Sequence, residues 1–395
     1  MPSLSTLQRF LTTSKVVEGR RKADALAERG IHIVDLGIGE PAFNAPAIAR
    51  AAAIEALRAG HDGYLDPRGL PELRAAIAKF EREAHGIDAG PGNVIVTVGS
   101  YGALALAIRA VLDPGDEVLL LEPFWSPYAS IARIANGVPV IVPGRTRDGV
   151  CEVAFDAIAR AVTPRTRAIV INTPNNPSGR VYSETELAGI AAFATRHDLW
   201  IISDETYAEL VFDGARHRSM ASLGPEVAAR TIVTSSFSKA FAMTGWRLGY
   251  AIAPQQAADL LVRINHMTVR SPTSFVQYAA VAALERCTPD VQAMRAAYAS
   301  RRDLMVERLR AMPGIACDVP AGTFYAFPQL PAGWGDGDSF CALLLEEAGV
   351  IATPGSYYGA AFRQHIRFSF AASLEEIGEG MDRMLELATR RFGGS

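Results

Sequence analysis

A chain of 395 residues is longer than one ordinary hydrophobic core supports, so two domains are expected, with room for one to be discontinuous. Hydrophobic residues make up 49% and charged residues 21%, as in a globular enzyme, and the net charge of −3 gives no bulk attraction to nucleic acid or to an anionic membrane. Met1–Phe10 lacks a signal-peptide apolar run, no stretch approaches the ~18 uncharged apolar residues of a membrane span, and the four cysteines show no CxxC spacing; the expected location is the reducing cytoplasm.

An N-terminal arm, 1–45, opens with a predicted helix at Lys15–Arg29 and a short strand at His32–Leu36. Regular alternation follows. Apolar, β-branched runs stand at Val94–Val98, Glu117–Leu121, Val138–Val142, Ala168–Asn172, Leu199–Ser203, Thr231–Ser235 and Leu248–Ala253. Helical patterns such as Ala103–Leu112 and Glu184–His197 separate most of them, the second opened by a Ser183/Glu186 capping box. Apolar strands alternating with helices predict an α/β fold: a mostly parallel seven-stranded sheet with helices on both faces. From Gln277 a long helical stretch runs to Arg310. Short strands are predicted near Gly314–Val319 and Phe324–Pro328, then a helix at Ser339–Ala348, a strand at His365–Phe370 and a last helix from Leu374. The division is therefore a large domain at 46–280 and a smaller α+β domain at 281–395, joined by the N-terminal arm.

Ligands of such sheets sit at the carboxyl ends of strands. Lysine occurs only at Lys15, Lys22, Lys79 and Lys239, so few positions can do amine chemistry. The first three stand among charged neighbours on helices and read as solvated faces. Lys239 follows a strand directly, in Ser235-Ser236-Phe237-Ser238-Lys239, with Arg247 eight residues on. Hydroxyls and a guanidinium suit a phosphate dianion, and an amine beside them suits a phosphorylated aldehyde cofactor. A plain polar turn between strands is the other reading. Gly99-Ser100-Tyr101-Gly102 ends a strand and opens a helix, where backbone N–H groups can approach an anion. Asp204 and Glu205 end another apolar strand; a buried carboxylate needs a partner, and a protonated ring nitrogen is one. A helix cap is the equal alternative. Asn172 to Gly179 forms a turn with two amides at a further strand end.

Asn175-Asn176-Pro177-Ser178-Gly179, Ser203-Asp204-Glu205-Thr206-Tyr207, Ser236-Phe237-Ser238-Lys239 and Thr244-Gly245-Trp246-Arg247-Leu248-Gly249-Tyr250 together resemble the signatures of class I/II aminotransferases. These are fold-type I pyridoxal-phosphate enzymes related to aspartate aminotransferase. The resemblance runs from Leu36-Gly37-Ile38-Gly39-Glu40-Pro41 to the arginine of His365-Ile366-Arg367-Phe368-Ser369. It implies pyridoxal 5'-phosphate as cofactor and ping-pong transfer of an amino group from an L-amino acid to a 2-oxo acid. Lys239 would hold the cofactor and move the proton, with Asp204 on the ring nitrogen and Asn176 and Tyr207 on the ring oxygen. Ser100, Tyr101, Gly102, Ser236, Ser238 and Arg247 would bind the phosphate, and Trp125 would stack on the ring. Tyr64 would reach the phosphate of a neighbouring subunit in a homodimer with shared sites. Arg367 would clamp the substrate carboxylate, with Gly39 and Asn176 assisting.

The chain departs from the family pattern at Tyr101, where many relatives carry lysine, threonine or glutamine, and at Tyr357-Tyr358. No arginine near Met267–Ser271 aligns clearly with a distal-carboxylate reader, although Arg270 is close. These changes favour a neutral or aromatic amino donor. The Gly37-Ile38-Gly39-Glu40-Pro41-Ala42 run imitates a dinucleotide motif, but Pro41 sits inside it. No zinc spacing is present, and no metal is expected. The alternatives on the same fold are a pyridoxal-phosphate carbon–sulfur lyase and, remotely, a cofactor-binding regulator.

Overall fold

The computed structural model describes residues 4–11, 15–147 and 150–393. Positions 1–3 and 12–14, part of the predicted N-terminal arm, lie outside the described residues. The seven apolar runs form one sheet: β1 (Val94–Thr97), β2 (Glu117–Leu121), β3 (Val138–Val142), β4 (Thr166–Asn172), β5 (Trp200–Asp204), β6 (Thr231–Ser236) and β7 (Gly249–Ile252). Their order is β1-β7-β6-β5-β4-β2-β3. Neighbours are parallel except for β7, which runs antiparallel to both β1 and β6.

Alternation along each strand explains the continuous apolar runs. Val118, Val170, Ile202 and Ile232 face one side, against Leu104 and Ile108 of the helix Gly99–Val111. Leu119, Ile169 and Ile201 face the other, against Leu187, Ile190 and Ala194 of the helix Glu184–Arg196. Both faces are covered, so the middles of the central strands are apolar on both sides, while polar residues gather at the strand ends. β3 is the sheet edge and stays half-exposed. The Ser183/Glu186 box forms as read: Ser183 Oγ accepts from the Glu186 N–H at 3.2 Å and Glu186 accepts from the Ser183 N–H at 3.0 Å.

The second half differs from expectation in three places. The stretch Gln277–Arg310 is two helices, Ser274–Arg286 and Thr288–Ala311, broken at Cys287. Pro289 in the first turn of the second helix supplies the break, since it lacks an N–H and crowds the carbonyl four residues back. No strand forms over Gly314–Val319, where Ala316 makes a single bridge to Gln329. Flanking Pro313 and Pro320 cannot donate to a ladder. The strand near Phe324 shortens to Tyr325–Ala326, which pairs with Ile366–Ser369, itself paired to Thr353–Pro354. A separate apolar cluster packs Met305, Leu309, Phe324, Phe340, Leu344, Phe368, Met381 and Met384. Val34 and Leu36 join it, the short strand Val34–Asp35 pairing parallel with Val350–Ile351. Among the described residues no helix is long and apolar enough to cross a membrane.

Candidate active site

The ends of β4, β5 and β6 border a cleft of about 1180 Å³, with the segment after β1 and the chain leading into β7. Each strand end delivers its own chemistry.

Asp204 closes β5 and faces the cleft. Its Oδ2 accepts from the Tyr128 hydroxyl at 2.6 Å, and its Oδ1 from the Thr206 N–H at 3.2 Å and hydroxyl at 2.7 Å. Burial pushes this carboxyl above its ordinary range in spite of those bonds. The next residue points the other way, because side chains alternate along a strand. Glu205 bonds His217 Nε2 at 2.9 Å and the hydroxyls of Ser203 and Ser219 at 2.7 and 3.0 Å. Burial works to raise it, but His217 and the hydroxyls hold it below the ordinary range.

Lys239 sits in the short helix Phe237–Ala240 that follows β6. Its Nζ donates to the Gly39 carbonyl at 2.6 Å and lies 5.6 Å from the Phe324 ring and 6.0 Å from the Tyr207 ring. Burial lowers its pKa to about 8; Glu40 and Asp204 oppose this, while Arg367 and Arg247 reinforce it. The Tyr207 hydroxyl meets that of Tyr325 at 3.0 Å.

A cationic corner lies beside the lysine. Gly99 opens the helix Gly99–Val111 at φ +66°, and a methyl group there would lie 2.8 Å from an Arg247 guanidinium nitrogen. Only glycine permits that approach. Ser100, Tyr101, Ser238 and Arg247 line the cleft. Ser236 and Gly102 do not reach its surface. Ser236 stands opposite Gly249, and its buried hydroxyl has no hydrogen-bond partner.

Arg367, buried on its strand, donates to Asn176 Oδ1 at 3.2 Å and to the Gly37 carbonyl at 2.6 Å, under the Tyr325 ring at 4.1 Å. Its Nε has no partner. Gly39 lines the cleft, where a methyl group would lie 2.7 Å from the Tyr325 hydroxyl. Trp125 packs edge-on against Tyr101 at 4.6 Å and Tyr128 at 5.4 Å.

Of the residues singled out in the sequence, Lys239, Asp204, Tyr207, Asn176, Arg367, Arg247, Gly39, Ser100, Tyr101, Ser238 and Trp125 share this cleft. Tyr64 does not: the residue is 79% exposed and its ring lies under the Arg270 guanidinium at 4.3 Å, outside the cleft of its own chain. Lys15 corrects the reading of a solvated helix face. It lines the cleft mouth, pairs with Asp338 and donates to Ser356 Oγ at 2.8 Å. Lys22 and Lys79 are exposed as expected. Tyr128 and Tyr325 were not singled out. Tyr128 follows Trp125 at a one-turn spacing, a usable signal, whereas nothing local in the sequence joins Tyr325 to Tyr207.

The chain matches the family model for aminotransferase class I and II over residues 31–384. It is 38% identical to the aspartate aminotransferase of Geobacillus stearothermophilus, over 95% of this chain and 96% of that one. It is 40% identical to the aromatic-amino-acid aminotransferase 2 of Thermococcus litoralis, over 92% and 94%. Its fold superposes on the crystal structure of the aspartate aminotransferase of Rhizobium meliloti with a TM-score of 0.94, at 32% identity and covering 99% and 100% of the two chains. With this cleft, this sheet order and matches of that extent, the chain belongs to the class I and II aminotransferases.

Proposed function

We propose that this aminotransferase carries pyridoxal phosphate on Lys239 and exchanges an amino group between an L-amino acid and a 2-oxo acid in two half-reactions. One observation carries the reading: the Lys239 amine stands in the cleft between a buried carboxylate, Asp204, and a corner of hydroxyls and guanidinium. The fit rests on unmet needs. Asp204 is buried with hydrogen bonds but among the described residues makes no ion pair, so a protonated ring nitrogen completes it. The bare Gly99 turn, Ser100, Ser238 and Arg247 suit a phosphate. Pyridoxal phosphate, when bound, supplies an aldehyde carbon that accepts the amine and a cationic ring that draws electrons from the substrate Cα.

The chain's own groups do the rest. Lys239, whose amine lies in the cleft, would be the group that takes the proton from the substrate Cα and gives it back. Tyr207 and Asn176 would hold the ring oxygen, and Trp125 would cover the ring. Arg367, which lines the cleft, would hold the α-carboxylate. Two copies form the working unit, Tyr64 of each completing the phosphate site of the other.

Borohydride reduction of the holoenzyme and peptide mapping should place the cofactor on Lys239; a label on Lys15 would end this reading. A neutral amine is needed for attachment, and a pKa of about 8 means it is scarce at lower pH. Attachment of cofactor to the cofactor-free enzyme should therefore quicken about tenfold per pH unit below 8 and level off above it.

For substrate we infer a neutral or aromatic amino donor, with 2-oxoglutarate or pyruvate as acceptor. Tyr101, Trp125, Tyr357 and Tyr358 line the cleft, and Arg270 lies outside it in the same chain. Beyond Lys239, Arg247 and Arg367, the cations lining the cleft among the described residues are Lys15, already paired with Asp338, and Arg133, which lies over the Phe10 ring, and a second carboxylate buried without a partner is costly. Comparing kcat/KM for phenylalanine, methionine, alanine and aspartate tests this. A preference for aspartate of about tenfold or more, abolished by Arg270→Ala, would overturn it.

A further inference from the structure

Glu122 follows β2 directly and is 7% exposed. Among the described residues it makes no ion pair. Its carboxylate instead accepts three backbone N–H groups: Ala360 at 2.7 Å, Ala361 at 3.3 Å and Gly144 at 3.4 Å. Two of these donors, Ala360 and Ala361, open the single turn Ala360–Phe362, and the first N–H groups of a turn lack backbone partners. Two residues on, the Phe124 N–H donates to the Tyr358 carbonyl at 2.9 Å. A methyl group at Gly359, whose φ is +149°, would lie 2.5 Å from the Glu122 carboxyl carbon. The strand end is thus bonded to both sides of Gly359.

The segment held this way begins at Thr353, which pairs in register with Arg367. Between Thr353 and Ala360 it contributes Tyr357 and Tyr358 to the cleft, and the Tyr358 ring lies 5.3 Å from the Arg367 guanidinium. One end of the segment is therefore fixed by the arginine's own strand and the other by Glu122. Charge-assisted bonds to backbone N–H groups in a buried place are the strong kind.

We propose that Glu122 is a positioning residue for substrate binding: it pins the segment 353–361 so that Tyr357 and Tyr358 wall the Arg367 pocket. This rests on the reading of Arg367 as the carboxylate site. Glu122 touches neither Asp204 nor Lys239, so its effect falls on substrate affinity and not on the chemical step.

The test is steady-state kinetics of the holoenzyme together with hydrogen exchange of the peptide spanning 353–362. Glu122→Ala should speed exchange at that peptide and raise KM for both amino acid and 2-oxo acid about tenfold, with kcat within about threefold. Glu122→Gln keeps one acceptor oxygen for Ala360 and should recover most of the KM. Gly359→Ala pushes the segment off an intact carboxylate and should reproduce the Glu122→Ala pattern, which separates the contact from any folding defect of that variant. Unchanged exchange, faster exchange with unchanged KM, or a loss confined to kcat would each overturn the proposal. Arg367→Lys is measured alongside: an unchanged KM there removes the carboxylate reading, while the exchange result still reports on Glu122 separately.

Discussion

Lys239→Ala should lower kcat by about 10⁴-fold or more, since on the proposed reading it removes both the covalent handle and the acid–base group. The variant should keep its fold and still bind cofactor without a covalent bond, because Ser100, Ser238, Arg247 and Asp204 are untouched. Absorbance of the unattached cofactor after gel filtration checks retention, and single-turnover rates check the loss. Turnover within about 100-fold of the parent enzyme would mean that another group moves the proton. The same variant tests the shared site. Mixed with Tyr64→Ala chains, it should regain turnover, because one site of a hybrid dimer then has both its own Lys239 and its neighbour's Tyr64. No recovery, with an active monomer by light scattering, would end the shared-site proposal.

Asp204→Ala and Glu205→Ala should fail in different ways, though the residues are adjacent. Asp204 faces the cleft, and its loss should cost about 10³-fold in kcat, as expected for a fixed charge opposite the reacting ring, with little change in melting temperature. Glu205 faces His217 on the far side of the strand. Its removal leaves a buried imidazole without its carboxylate and should destabilise the fold by about 3 kcal/mol, while the molecules that stay folded keep turnover within about tenfold. Thermal unfolding and active-site titration separate the two. Equal, small kinetic losses would reduce Asp204 to a strand-end cap.

The contrast shows what could be read from the sequence. The pairing of Asp204 with a strand end was legible, because β5 begins with the apolar Trp200-Ile201-Ile202 and its last side chain must emerge where ligands collect. The same holds for Lys239 after β6 and for Ser100 and Gly99 after β1. Which of Asp204 and Glu205 enters the cleft was not legible from spacing alone, since that depends on the phase of β5 against its neighbours. Other misses share a cause. Lys15 reaches Asp338 and Ser356, Tyr325 reaches Tyr207, and Glu122 reaches Ala360, each across a large separation in sequence. Local periodicity carries no information about such meetings. The missing strand at Gly314–Val319 and the break at Cys287 were local, by contrast. The prolines that explain them were visible, and the apolar pattern outweighed them in the reading.

The antiparallel setting of β7 has a consequence for inheritance. Because β7 returns beside β6, the run from Thr231 to Ile252 holds Ser236, Ser238, Lys239 and Arg247 in one uninterrupted piece. The proposed carboxylate pocket is drawn instead from Gly37, Asn176 and Arg367, three widely separated stretches. Exchange of one internal segment between related genes would therefore carry Lys239 together with Ser238 and Arg247, leaving Gly99, Ser100 and Asp204 with the recipient. No short segment holds all three groups of the proposed carboxylate pocket. The groups proposed to anchor the cofactor are thus partly clustered along the chain and those proposed to read the substrate are dispersed, so new specificities must be built from scattered substitutions.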